Sequence, residues 1–131
     1  MSQARKRPLS PHLSIYRWGP HMLVSILHRL TGGALTVVGL IVLTWWLMAV
    51  AEGGQAYETF QKCAASPYGL VVLVGLTWAF FQHMLSGLRH LVLDMGAGYD
   101  LKVNKFWSLM VMGAALLLTA IFWWLVMGVG A

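Results

Sequence analysis

Two short stretches place imidazole, hydroxyl and guanidinium groups at helical spacing within otherwise apolar sequence. In the first, Ser25, His28, Arg29 and Gly32 stand at i, i+3, i+4 and i+7; in the second, His83, Ser86, Gly87 and His90 repeat those intervals, with Asp94 one turn further on. Each reads as a helix carrying one polar stripe with a glycine on it. His83 is the sharpest signal, because a titratable ring inside a membrane-length apolar segment is costly and by default functional. An imidazole nitrogen can ligate a transition metal, and Gly87, one turn from His83, leaves a notch where a flat ligand meets the backbone. A haem whose iron is held by His83 joins the two features.

A haem also gives its neighbours a task. Its two propionates are carboxylates, for which His28, Arg29 and His90 are suitable partners. A low-spin b-type site needs a second strong axial ligand. His28 or a side chain of another subunit supplies it, and spacing leaves both open. The competing readings are plainer: a neutral His83 hydrogen-bonded to a neighbouring helix, His28 and Arg29 snorkelling to lipid phosphates, and Asp94 as a loop cap. Arg89 follows the distribution of positive charge along the chain and needs no further role. Met84, Met95, Met110 and Met112 read as packing.

Three apolar segments must position these groups. Of 131 residues, 59% are hydrophobic and 10% charged, and mean hydropathy is +0.71. Soluble domains carry about 25% charge, so this chain cannot cover a water-facing surface. The formal charge of +5 is spread along the flanks of the apolar segments, which argues against nucleic acid. A lone Cys63 excludes an intrachain disulfide framework and a paired-cysteine site. The expected architecture is all-α, a transmembrane helical bundle with three membrane-spanning helices over about residues 22–51, 68–89 and 106–128. Residues 1–20 form a cytoplasmic arm with a basic cluster at Arg5, Lys6 and Arg7, and residues 21–131 the membrane domain. Residues 51–67 read as a loop with room for a short interfacial helix, and residues 89–105 as a second loop.

Eight lysines and arginines lie in the N-terminal flank and second loop, against Lys62 alone in the first loop. That bias puts the N-terminus and second loop in the cytoplasm and the C-terminus on the far side. Trp45, Trp46, Trp123 and Trp124 then form an outer aromatic belt. Gly32, Gly33 and Ala34, with Gly113, Ala114 and Ala115, read as close helix–helix contacts. Because the first span enters from inside and the second returns there, both polar stripes reach a common depth. His83 precedes Arg89 by six residues, roughly 9 Å of helix rise.

Three motifs carry a family resemblance: RPLSPHLSIY at residues 7–16, SILHRLTG at residues 25–32 and HMLSGLRHLVLDMG at residues 83–96. In this order, and with three spans, the chain resembles the larger cytochrome b membrane anchor of succinate dehydrogenase. The first loop and third span match only in character. The resemblance implies a four-subunit complex of flavoprotein, iron–sulfur subunit and two small anchors, with haem b and a ubiquinone site in the membrane. It implies His83 as the axial ligand from this chain and a second ligand from the smaller anchor. It assigns His28 and Arg29, with His90, to the haem propionates, and Ser25 and Arg29 to the quinone, with Leu13 and Ile26 on the apolar side of that pocket. The chain would then be a subunit of a succinate:quinone oxidoreductase without succinate-oxidising chemistry of its own. Membrane lipid is its further partner. A recognisable transit peptide is missing, so a bacterial inner membrane is expected. The alternatives are a cofactor-free structural anchor and the anchor of a related fumarate reductase.

Overall fold

The computed structural model describes Ser10 and residues 12–129; the basic cluster Arg5, Lys6 and Arg7, and with it the start of the first motif, lies outside the described residues. The first span, α1, runs from Pro20 to Glu52 (Pro20–Glu52). Gly19 precedes it in extended conformation, and Pro20 takes the first helical position, where its missing N–H costs nothing. Gly53, at φ 65°, ends it in a backbone conformation that costs glycine little. Midway, Leu35–Gly39 form a π turn, one residue wider than the α-helical turns on either side.

A short helix, α2 (Gly54–Ala64), follows within the stretch read as a loop with room for one. Its ring of Phe60 meets Trp45 of α1 edge-on at 5.0 Å, which holds it against the end of the first span. The second span, α3 (Pro67–Asp94), opens on a Ser66 cap whose hydroxyl accepts from the Gly69 N–H at 3.1 Å. The third, α4 (Leu101–Val129), is capped by Asp100, whose carboxylate accepts from the N–H groups of Lys102 and Val103 at 2.9 and 3.3 Å.

The helices outrun the uncharged segments. Residues 89–105, expected as a loop, are helical at both ends, and only residues 95–100 turn between α3 and α4. Charge marks where hydrocarbon stops, whereas a helix continues until its backbone is capped or a glycine takes positive φ, as Gly96 and Gly98 do here.

α3 is the central helix. It packs against the first half of α1 and along α4, and that half of α1 also meets α4; beyond the π turn, Leu40–Glu52 meet α2 and leave α4 alone. The seam between the three spans is small and polar. Val24 and Thr31 of α1, Ala79, Gln82 and Ser86 of α3, and Ser108, Val111, Ala115 and Thr119 of α4 are buried. Small side chains let membrane helices approach closely, and hydroxyls can be satisfied within their own helix. Thr31, Ser86, Ser108 and Thr119 each donate to a carbonyl four residues back at 2.6–2.7 Å. Of the small residues expected at contacts, Gly32 and Ala115 are there, while Gly33 and Gly113 have nothing within 4 Å of where a side chain would begin. At most 17% of the most apolar stretch of any span is buried within the chain, so its outer faces are left for lipid or neighbouring subunits.

Candidate functional site

The two polar stripes meet. The rings of His28 and His83 stack with centroids 4.0 Å apart and planes 5° from parallel. His90 stands 5.1 Å from His28 at 59°. The three imidazoles therefore gather on the face shared by α1 and α3, with His28 of α1 reaching both His83 and His90, which lie about 10 Å apart along the axis of α3.

Hydrogen bonding sets the state of each ring. Nδ1 of His83 lies 3.0 Å from the main-chain oxygen of His28. A carbonyl can only accept, so Nδ1 carries the proton and donates. In the neutral ring Nε2 is then the nitrogen with a lone pair, and no protein group among the described residues hydrogen-bonds to it. Metal-binding histidines are commonly held in this way, with the second nitrogen tied to a carbonyl and the ligating one left free. Thr31 lies 3.4 Å from the same Nδ1 while donating to Leu27. His28 is held alike. Ser86 donates to the Gln82 carbonyl at 2.6 Å, so its oxygen accepts from Nδ1 of His28 at 2.7 Å.

The glycines face the opposite helix's histidine. A Cβ at Gly32 would stand 2.9 Å from Cε1 of His83, closer than carbon atoms tolerate. One at Gly87 would stand 3.7 Å from Cε1 of His28, an ordinary contact. The notch expected beside His83 at Gly87 is therefore filled by His28, and the tight cradle for His83 comes from Gly32 on the other helix. A single span's periodicity cannot reveal such an exchange.

The remaining candidates stand apart from the stack. Ser25 and Ile26 are half-buried one turn below His28, and Arg29 is exposed beside it. Among the described residues no hydrogen bond or ion pair reaches Ser25, Arg29, His90 or Asp94; the one ion pair joins Glu58 and Lys62 at 3.8 Å. Leu13, on the arm before α1, is 91% exposed. Among the described residues the polar ends of Ser25 and Arg29 are thus unpaired, and the Leu13 side chain stands in the open.

The stacked histidines do not form an axial pair. Two imidazoles bound on opposite sides of one iron have ring centres roughly 6 Å apart, from metal–nitrogen bonds of about 2.0–2.1 Å. A parallel stack at 4.0 Å leaves no room for a metal between the rings. His83 thus offers one ring for a metal, and His28 does not face it across the same ion.

Two residues were missed. Thr31 touches His83, and its place three residues after His28 on the same helix was the available signal. Gln82 is fully buried with neither end of its amide paired. An amide within an apolar span was the signal there.

The profile of the succinate dehydrogenase/fumarate reductase transmembrane subunits matches residues 3–122. The chain is 42% identical over 99 residues to a succinate dehydrogenase cytochrome b556 subunit of Paracoccus denitrificans, covering 76% of this chain and 74% of that one. It is 37% identical over 118 residues to the subunit of the same name from Rickettsia felis, covering 90% and 91%. A succinate dehydrogenase cytochrome b560 subunit of Reclinomonas americana is 34% identical over 130 residues, covering 89% of this chain and 84% of its own.

Proposed function

The chain belongs to the succinate dehydrogenase/fumarate reductase transmembrane subunits, and on that premise we propose that it is a haem- and quinone-binding anchor of a succinate dehydrogenase. The observation that carries this reading is the His83 ring. Its Nδ1 is tied to the His28 carbonyl, Gly32 lies against it, and Nε2 is left open.

When bound, haem b supplies a one-electron carrier. His83 would hold its iron through Nε2, and the smaller anchor would contribute a further ligand. His28, Arg29 and His90 take the propionates, and Ser86 orients His28 for that task. Ser25 and Arg29 serve ubiquinone. A quinone carbonyl gains negative charge on reduction and then takes up protons. The Ser25 hydroxyl donates a hydrogen bond to it, and the permanent charge of Arg29 stabilises what develops there. Ile26 forms part of the apolar side, and Leu13 joins it from the arm when partner subunits order that segment. An iron–sulfur subunit delivers electrons from the flavoprotein at the cytoplasmic face. The N-terminus and the α3–α4 turn lie on that face of a bacterial inner membrane, and the C-terminus is periplasmic.

The test separates quinone chemistry from succinate oxidation. In the assembled complex, Arg29→Ala and Ser25→Ala should lower quinone reduction by about 100- to 1,000-fold, the range for losing a charge-stabilising donor. Succinate oxidation with an artificial dye should stay near wild type. Equal loss of both activities overturns the assignment.

A further inference from the structure

Arg89 remains without a role in the site just described. It lies about a third of a turn round α3 from His83. Leu85, Leu88 and Val92 fall roughly half a turn from His83 at about 100° per residue, and Arg89 lies between them and the seam. With Val103, Trp107 and Val111 of α4 they line a groove of about 430 Å³ that also includes Arg89 and Asn104. Leu88, Val92, Val103 and Trp107 are about half exposed, so the groove opens to the outside of the bundle. From Val103 to Val111 it follows α4 for roughly 12 Å into the apolar part of the span.

The charge in its wall is unbalanced. The guanidinium of Arg89 donates to the side-chain oxygen of Asn104, a neutral group, and no carboxylate pairs with it among the described residues. A guanidinium has five N–H donors, so most of its capacity is unused. Arg89 is also where the uncharged stretch of α3 stops, which is the level of the boundary between hydrocarbon and headgroups. An apolar channel with a half-buried cation at that level fits an anionic amphiphile. A partner helix would cover the groove but leave the charge unanswered in a low dielectric. A quinone would present only neutral carbonyls to it.

We propose that the groove between α3 and α4 binds one glycerophospholipid, its phosphodiester on Arg89 and one acyl chain along Leu85, Leu88, Trp107 and Val111. The site is independent of the haem and quinone assignments, because no residue is shared with them. Arg89 pulls the phosphate to the groove and Asn104 holds the guanidinium in place for it.

The chain, purified with the subunits that accompany it, is stripped of lipid by detergent washing and titrated with phosphatidylglycerol. Retained lipid is counted by native mass spectrometry. Diacylglycerol with the same chains serves as the phosphate-free probe. The wild type should retain one phosphatidylglycerol and bind diacylglycerol about tenfold more weakly, the cost of one charge-assisted contact. Arg89→Gln should remove that preference while Arg89→Lys keeps most of it. Val92→Trp, which narrows the groove and leaves Arg89 in place, should weaken both probes and gives the answer if Arg89→Gln does not assemble. Equal binding of the two probes by the wild type overturns the proposal. So does retention by Val92→Trp equal to that of the wild type, or cross-linking of a partner subunit to residue 92 in place of lipid.

Discussion

The two halves of α1 differ although together they make one membrane-length helix. Pro20–Ala34 bury Val24 and Thr31 against α3 and α4, and present His28 to His83. Leu40–Glu52, beyond the π turn, bury only Ala49 and have α2 as their partner through Trp45 and Phe60. The first half gives up apolar surface to hold polar groups in register. The second keeps its apolar surface for whatever surrounds the chain. The difference teaches that a helix segment whose role is to place chemistry shows itself twice, in the polar groups it carries and in what it buries. The π turn between the halves changes the register, so each meets its neighbours on its own terms.

The comparison can be broken most severely at His83. His83→Ala in the assembled complex should abolish the sharp reduced band of a b-type haem in the visible spectrum, since the ring seated on the His28 carbonyl and against Gly32 is then gone. A full-strength band in that variant would move the ligand elsewhere.

The two glycines sharpen it next. Gly32→Ala should destabilise the packing of α1 on α3 by about 1–3 kcal/mol, the usual cost of overfilling a tight contact, because its Cβ would stand 2.9 Å from His83. Gly87→Ala, with 3.7 Å to His28, should cost no more than about 0.5 kcal/mol. Thermal unfolding followed through the haem band would rank the two, and equal effects would mean that Gly32 is no cradle.

The smallest effect is expected in the second half. Trp45→Ala removes the edge contact with Phe60, about 0.5–1.5 kcal/mol for such a pair. Amide exchange should quicken within Gly54–Ala64 while the band assigned to His83 stays unchanged. A shift of that band would show the two halves to be coupled across the π turn.

Much of the site was legible before folding. Composition and the uncharged runs required three spans, because a backbone in hydrocarbon must satisfy its own hydrogen bonds. The matched spacing of the two polar stripes, with the return of the second span to the side of the first, brought His28 and His83 to a common depth. The boundaries were less legible. Hydropathy reports where a helix meets water, so the continuation of α3 to Asp94 and the early start of α4 at Leu101 escaped it. Gln82 escaped too, because one amide beside a histidine does not alter the period of the span, and its burial is set by the neighbouring helices.

Residue types and their intervals alone determined that this chain crosses a membrane three times and carries two polar stripes able to serve a metal-bound ring and a redox partner. That much follows from local rules, the cost of charge in hydrocarbon and the pitch of a helix. Only the tertiary structure decided that Gly32 shelters His83 and Gly87 meets His28, that Ser86 and a main-chain carbonyl each accept from an Nδ1–H, and that the stacked pair excludes a metal between them. These are relations between two helices. They depend on rotation and offset across the contact, which the periodicity of either helix taken singly does not contain.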